Sequence, residues 1–95
     1  MNKEIILVTT KGCDSCIKQH IRLNHLYTRY NSKDDLFDYN QIDKSDLDIN
    51  ALKDKQITDF PATIFLVHNE VKDLVIGTMS EQEILDRFKK YNFIG

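Results

Sequence analysis

The sequence predicts an α/β domain: one four-stranded mixed sheet with helices on both of its faces. Three observations lead there. Two β-rich runs, Ile5-Ile6-Leu7-Val8 and Ala62 to Val67, stand among segments whose apolar residues recur every three or four positions. The first half reads strand, helix, strand, and such a unit implies a parallel pair with a right-handed crossover. In the second half His68-Asn69-Glu70 separates two extended runs so closely that they must pair antiparallel.

Each element has a local reason. Glu4 to Thr9 is an aliphatic run of the kind a buried strand needs, ended by Thr10-Lys11-Gly12. From Asp14 to Tyr30 the residues Cys16, Ile17, Leu23, Leu26, Tyr27 and Tyr30 are spaced for an amphipathic helix. Asn31 to Asp35 is a polar turn, and Leu36 to Ile42 alternates loosely as a short strand. Ser45-Asp46 can cap a brief helix carrying Leu47, Ile49 and Leu52. Ala62 to Val67 is a second buried strand, Val71 to Ile76 its hairpin partner, and Gly77 breaks the pattern. Ser80-Glu81-Gln82-Glu83 has the form of a capping box, followed by Ile84, Leu85, Phe88 and Tyr91 on one helix face.

Size and composition narrow the function. The 95 residues fit a single domain spanning 1–95, and 41% hydrophobic with 29% charged residues is ordinary for a globular chain. A net charge of -2 argues against a nucleic-acid binder. The longest aliphatic run is too short to span a bilayer or to serve as a secretory signal, so a cytoplasmic setting without membrane contact is expected. Charge is uneven: residues 1–32 carry +3 and residues 33–59 carry -4, which reads either as ordinary solvated surface or as a cysteine-bearing end that steers an acidic partner or small anion locally. Nothing in the apolar pattern demands more than a monomer.

Cys13-Asp14-Ser15-Cys16 falls where the first strand gives way to the first helix. The leading N–H groups of a helix lack partners. Their partial positive charge stabilises an anion by ~0.3–1 kcal/mol, and up to ~2 when partly buried. At ~1.36 kcal/mol per unit, the Cys13 thiol drops by about half a unit to one and a half. Lys11 acts in the same direction. Asp14 opposes it by about 1 kcal/mol, so a modest net depression is expected, which suits a reductant better than an oxidase. Cys13 is then the attacking sulfur, and Cys16, one turn on, the resolving one. The same spacing also occurs in inert thiol pairs and in half a zinc site, where His20 would be a third ligand.

Phe60-Pro61 is the one X-Pro bond in the chain. Proline lacks the N–H of a central strand and belongs at the strand's first residue. The bond reads equally as trans or as cis. A cis bond would leave the backbone N–H and C=O of Phe60 free to pair with an extended substrate.

In this order and spacing the residues resemble the thioredoxin family, within the wider thioredoxin/glutaredoxin superfamily. The resemblance rests on Cys13-x-x-Cys16 between strand and helix, on Ile57-Thr58-Asp59-Phe60-Pro61, and on Thr63 to Val71 with Gly77 and Ser80. It implies a thioredoxin-like fold in which a sheet ordered second, first, third, fourth strand is flanked by three helices. It implies a dithiol–disulfide oxidoreductase, with Cys13 as nucleophile, Cys16 as resolving thiol and Pro61 as a cis-proline facing them. Phe60 would offer backbone to the substrate, Gly77 would let the chain approach closely, and Lys11 would stand among the substrate-binding residues. No metal or cofactor is implied. The partners would be a disulfide-containing protein and, as reductant, a thioredoxin-reductase-like flavoprotein or glutathione. Alternatives are a glutaredoxin-like donor, for instance to ribonucleotide reductase, a non-catalytic binding module, and a metal carrier. This chain departs from the family in Gly12, where an aromatic residue is usual, in Asp14-Ser15 between the cysteines, and in Leu7, where thioredoxins bury an acid.

Overall fold

Side chains along β1 (Lys3–Thr9) alternate between two covered faces, which is why the run is aliphatic rather than amphipathic. Ile5 and Leu7 enter one core, while Val8 and the half-buried Ile6 enter the other. The computed structural model describes residues 2–94, side chains of Ile49, Ala51 and Leu52 excepted. Strand β2 (Asp38–Asp43) runs parallel to β1, from Glu4↔Asp38 to Thr9↔Asp43. On the other side β3 (Ala62–Val67) is antiparallel, from Lys3↔Val67 to Val8↔Ala62. Strand β4 (Glu70–Ile76) pairs antiparallel with β3, and the sheet order is β2-β1-β3-β4. His68 and Asn69 turn the hairpin with φ of 52° and 64°, the doubly positive pair of a primed turn.

The crossover from β1 to β2 is helix α1 (Asp14–Tyr30). It packs Leu23 and Leu26 against Ile5, Leu7 and Phe65, beside Ile84 and Phe88 of a later helix, α3 (Glu81–Lys90). Phe37, Phe65, Phe88 and Phe93 interlock at the centre of this layer, with ring centroids 5.0–6.4 Å apart. Helix α3 begins with the expected capping box: Ser80 Oγ accepts from Glu83 N and Glu83 Oε1 from Ser80 N, both at 3.2 Å. Both long helices therefore lie on one face. The other face, around Val8, Ile57, Ala62 and Ile64, is covered by the segment after β2, with Leu47 and Phe60 packed on it.

That segment is where expectation and structure part. Two long helices flank the sheet rather than three: the brief helix expected after β2 is split into a 3₁₀ turn (Lys44–Asp46) and a six-residue helix, α2 (Ile49–Asp54), with Leu47 between them. Such a length has little intrinsic stability, since nucleation is scarcely recovered. Ser45 lies within the 3₁₀ turn, and Asp43 Oδ2 caps it through Ser45 N at 3.0 Å. Asp48 Oδ1 takes the capping role before α2, accepting from Asn50 N at 3.1 Å. The side chains of Ile49 and Leu52, expected on this helix, lie outside the described ones. Strand β2 also starts two residues later than expected. Asn31 Oδ1 accepts from the N–H groups of Leu36 and Phe37, at 2.7 and 3.0 Å, and holds them off the ladder.

Candidate active site

Cys13 is the N-cap of α1, with extended backbone (φ -105°, ψ 97°). Its Sγ accepts from Cys16 N at 3.1 Å, the bond an N-cap side chain makes to the third helical residue. Gly12, at φ +69°, brings the chain into that position. Cys13 and Cys16 are joined by a disulfide, Cα atoms 5.2 Å apart. Cys13 is half-buried, whereas Cys16 is 3% exposed, so of the two sulfurs the first meets an incoming group. Ser15 Oγ lies 3.3 Å from Cys13 Sγ. A disulfide sulfur has no proton, so the serine hydroxyl is the donor. Ser15 is not among the residues expected at the site, although its position two residues past an N-cap sulfur is a usable sign.

Strand register gathers the other expected residues at the same end of the sheet. Ala62 is opposite Val8 on one side and Ile76 on the other, so Pro61 and Gly77 stand where β1 opens into the loop before Cys13. The Phe60–Pro61 bond is cis, and Pro61 is buried. Gly77 N donates to Pro61 O at 2.7 Å. Close approach is not what requires this glycine: a Cβ there would meet nothing within 4 Å, and the reason is φ at +95°. Phe60 is half-buried, with Lys44 Nζ 5.7 Å above its ring centroid. Contrary to expectation, Phe60 N–H is not free. Asp59 Oδ1 accepts it at 2.9 Å, because a carboxylate one residue back reaches it locally.

Lys11 is exposed, and its field falls on Asp43 at the end of β2. Hydrogen bonds from the Ser45 hydroxyl and N–H hold the Asp43 carboxyl below its ordinary range, with Lys11 and Lys44 adding to the effect. The field of Lys11, expected at the sulfur, thus falls at least in part on a carboxylate.

Helix α1 corrects the expected apolar stripe. Its buried face is Cys16, Gln19, Leu23 and Leu26, spaced three, four, three. Ile17 points out, 59% exposed, and Gln19 is fully buried in its stead. Gln19 Oε1 accepts from Met79 N at 2.9 Å, and Arg22 Nη1 donates to Met79 O at 3.0 Å. The helix that bears the disulfide thereby holds both backbone groups of one residue in the Gly77–Ser80 connection.

His20, weighed as a zinc ligand, has Nδ1 2.8 Å from Tyr39 Oη and stacks on that ring. Burial pushes the Tyr39 phenol above its ordinary range. Among the described residues no group of three or more His, Cys, Asp and Glu side chains is placed to hold a metal ion. No described helix is long and apolar enough to cross a membrane.

No family model matches the sequence, and no curated protein matches it. Solved structures do match in shape. Oxidised thioredoxin from Plasmodium falciparum is 13% identical, with a TM-score of 0.72 over 95% of this chain and 81% of that one. Thioredoxin-2 of the malaria parasite, a component of its protein secretion machinery, is 16% identical, with a TM-score of 0.75 over 94% and 82%. A chain from a structure on the thiol resolving mechanism in yeast mitochondrial 1-Cys peroxiredoxin via glutathione/thioredoxin systems is 15% identical. Its TM-score is 0.74 over 94% of this chain and 78% of that one. With the strand order, the helix-capping cysteine and its bonded partner, these likenesses establish that the chain has the thioredoxin-like fold.

Proposed function

We propose that the protein is a dithiol–disulfide oxidoreductase that reduces disulfides of protein substrates. One observation carries this reading: the sulfur capping α1 is bonded to a second sulfur one turn below, the first half-exposed and the second covered. In the reduced protein the Cys16 N–H, the Ser15 hydroxyl and the open end of the helix all favour an anion at Cys13 Sγ. That thiolate attacks one sulfur of a substrate disulfide. A Cys13–substrate bond forms, and the other substrate sulfur leaves with the bonding pair and takes up a proton. Cys16 then attacks Cys13 Sγ, the mixed disulfide breaks, and the substrate departs as a dithiol.

The residues at the same end of the sheet supply the docking surface. The carbonyl of Phe60 can accept from an extended segment, its N–H being committed to Asp59. Pro61 and Gly77 form the wall beside it, and Lys11 and Lys44 favour acidic neighbours in the substrate. Electrons return from a flavoprotein reductase or from glutathione in a cytoplasmic setting, and one chain suffices.

Insulin disulfide reduction with dithiothreitol as electron source tests the reading. The protein accelerates precipitation of the freed chains, Cys13→Ser abolishes the acceleration, and Cys16→Ser accumulates a mixed disulfide. Exchange by the unaltered protein no faster than dithiothreitol alone would defeat it. Running the assay with glutathione or with a flavoprotein reductase distinguishes the two recycling routes.

A further inference from the structure

Two buried side-chain polar atoms have no hydrogen-bond partner among the described residues, Gln19 Nε2 and Thr63 Oγ1. Both residues are fully buried, and folded proteins seldom leave such groups unpaired. Rotating the Gln19 amide does not remove the difficulty. Its other end accepts from Met79 N, so oxygen must sit there and the NH₂ group must face away. Gln19 follows Cys16 by one turn on the buried stripe of α1. Thr63 is opposite Leu7 and shares its side of β3 with Phe65, the side that this stripe covers. It is two residues beyond Pro61, at the end of the sheet that carries the disulfide. An amide donor and a hydroxyl donor thus belong to the layer that α1 covers with Leu7, Leu23 and Phe65, and neither is hydrogen-bonded to Cys16 Sγ in the disulfide form.

In the disulfide, Cys16 Sγ is uncharged, and its bond to Cys13 fixes where it points. Reduction gives it a thiol that must ionise in order to resolve the mixed disulfide, and an apolar layer opposes that ionisation. Resting on the oxidoreductase reading above, we propose that Gln19 Nε2 and the Thr63 hydroxyl donate to the Cys16 sulfur in the reduced protein and stabilise its thiolate. In the step they serve, Cys16 gives up its proton and its sulfur electron pair forms the bond to Cys13 Sγ. The Cys13–substrate bond breaks, and the substrate sulfur leaves with the bonding pair and takes up a proton. The cysteine pair is oxidised and the substrate disulfide reduced, with no further reactant.

The test isolates Cys16. In a Cys13→Ser background it is the one thiol left, and ultraviolet absorbance of the thiolate follows its titration. Thr63→Val, which keeps the shape, and Gln19→Leu each raise the Cys16 pKa by about half a unit to one, while Thr63→Ser leaves it near the parent value. With both cysteines present, the same two variants slow resolution about two- to threefold, the fall in thiolate fraction being partly offset by the greater nucleophilicity of a more basic thiolate, and leave the first attack by Cys13 unchanged, so mixed disulfide builds up. A purely structural role would lower the melting temperature without moving the titration. If Gln19→Leu fails to fold, the Thr63 series decides alone. An unmoved Cys16 titration in folded Thr63→Val overturns the proposal. Insulin reduction by the unaltered protein judges the oxidoreductase reading separately, because the Cys16 titration needs no turnover.

Discussion

Replacing Ser15 with alanine removes one donor from the attacking sulfur and little else. The hydroxyl is 3.3 Å from Cys13 Sγ, and alanine is the better helix former at that position, so the fold is not at risk. Hydrogen bonds to charged groups contribute about 1.5–3 kcal/mol. Ser15 and Cys13 are both half-buried, so water recovers part of that when the hydroxyl goes. About 0.7–1.4 kcal/mol is left, which at ~1.36 kcal/mol per unit raises the Cys13 pKa by about half a unit to one. Below that pKa the thiolate fraction falls about three- to tenfold. A more basic thiolate is also a better nucleophile, with a Brønsted coefficient of about 0.4–0.5, so the net loss in attack rate is about two- to threefold. Iodoacetamide alkylation followed against pH in a Cys16→Ser background measures both quantities, since Cys13 is then the sole thiol. Ser15→Thr keeps the hydroxyl and is expected to titrate like the parent. Superimposable pH profiles for Ser15→Ala and the parent would refute the electrostatic account of the nucleophile.

Other consequences are equally open to measurement. Gly77→Ala costs about 1–2 kcal/mol in thermal melts, since φ of +95° disfavours any Cβ while no neighbour crowds it. Phe37→Ala empties the centre of the aromatic layer and lowers stability by about 3–5 kcal/mol in urea titrations. Ile17→Asp, on the exposed side of α1, changes stability by less than about 0.5 kcal/mol, whereas a fully buried face at that position would give a far larger loss. Asp43 has a depressed folded pKa, so its stabilising effect is complete above the unfolded value near ~3.9 and lost as pH falls through the folded value. Ser45→Ala brings that carboxyl back toward its ordinary range. The variant is therefore less stable than the parent at neutral pH, and melts taken toward about pH 2 find the two converging.

The long helices were legible from their three- and four-residue spacing, and the central strands from continuous β-rich runs buried on both faces. Ile5 to Val8, Ala62 to Val67 and the Ser80–Glu83 box each combine local propensity with burial, and each is found where expected. The cysteine pair was legible in position, because a three-residue spacing at a strand-to-helix junction brings the two sulfurs within bonding distance. What escaped depended on side chains choosing backbone partners. Asn31 delays β2 by holding Leu36 and Phe37, Asp59 claims the N–H of Phe60, and Asp43 and Asp48 replace Ser45 as caps. Gln19 was missed for a different reason. A hydrophobicity pattern assigns a glutamine to solvent, yet the spacing from Cys16 to Leu23 leaves that position no face but the core. Such choices are made by tertiary geometry, and the residue types alone do not contain them.

Met79 is gripped at its N–H by Gln19 and at its carbonyl by Arg22, while two residues earlier Gly77 grips Pro61. The disulfide-bearing helix and Pro61 are thus linked through the Gly77–Ser80 connection. Lifting the helix off this strap would break both of its bonds to Met79. If the protein exchanges disulfides as proposed, a substrate therefore meets the half-exposed outer sulfur while the helix keeps these bonds.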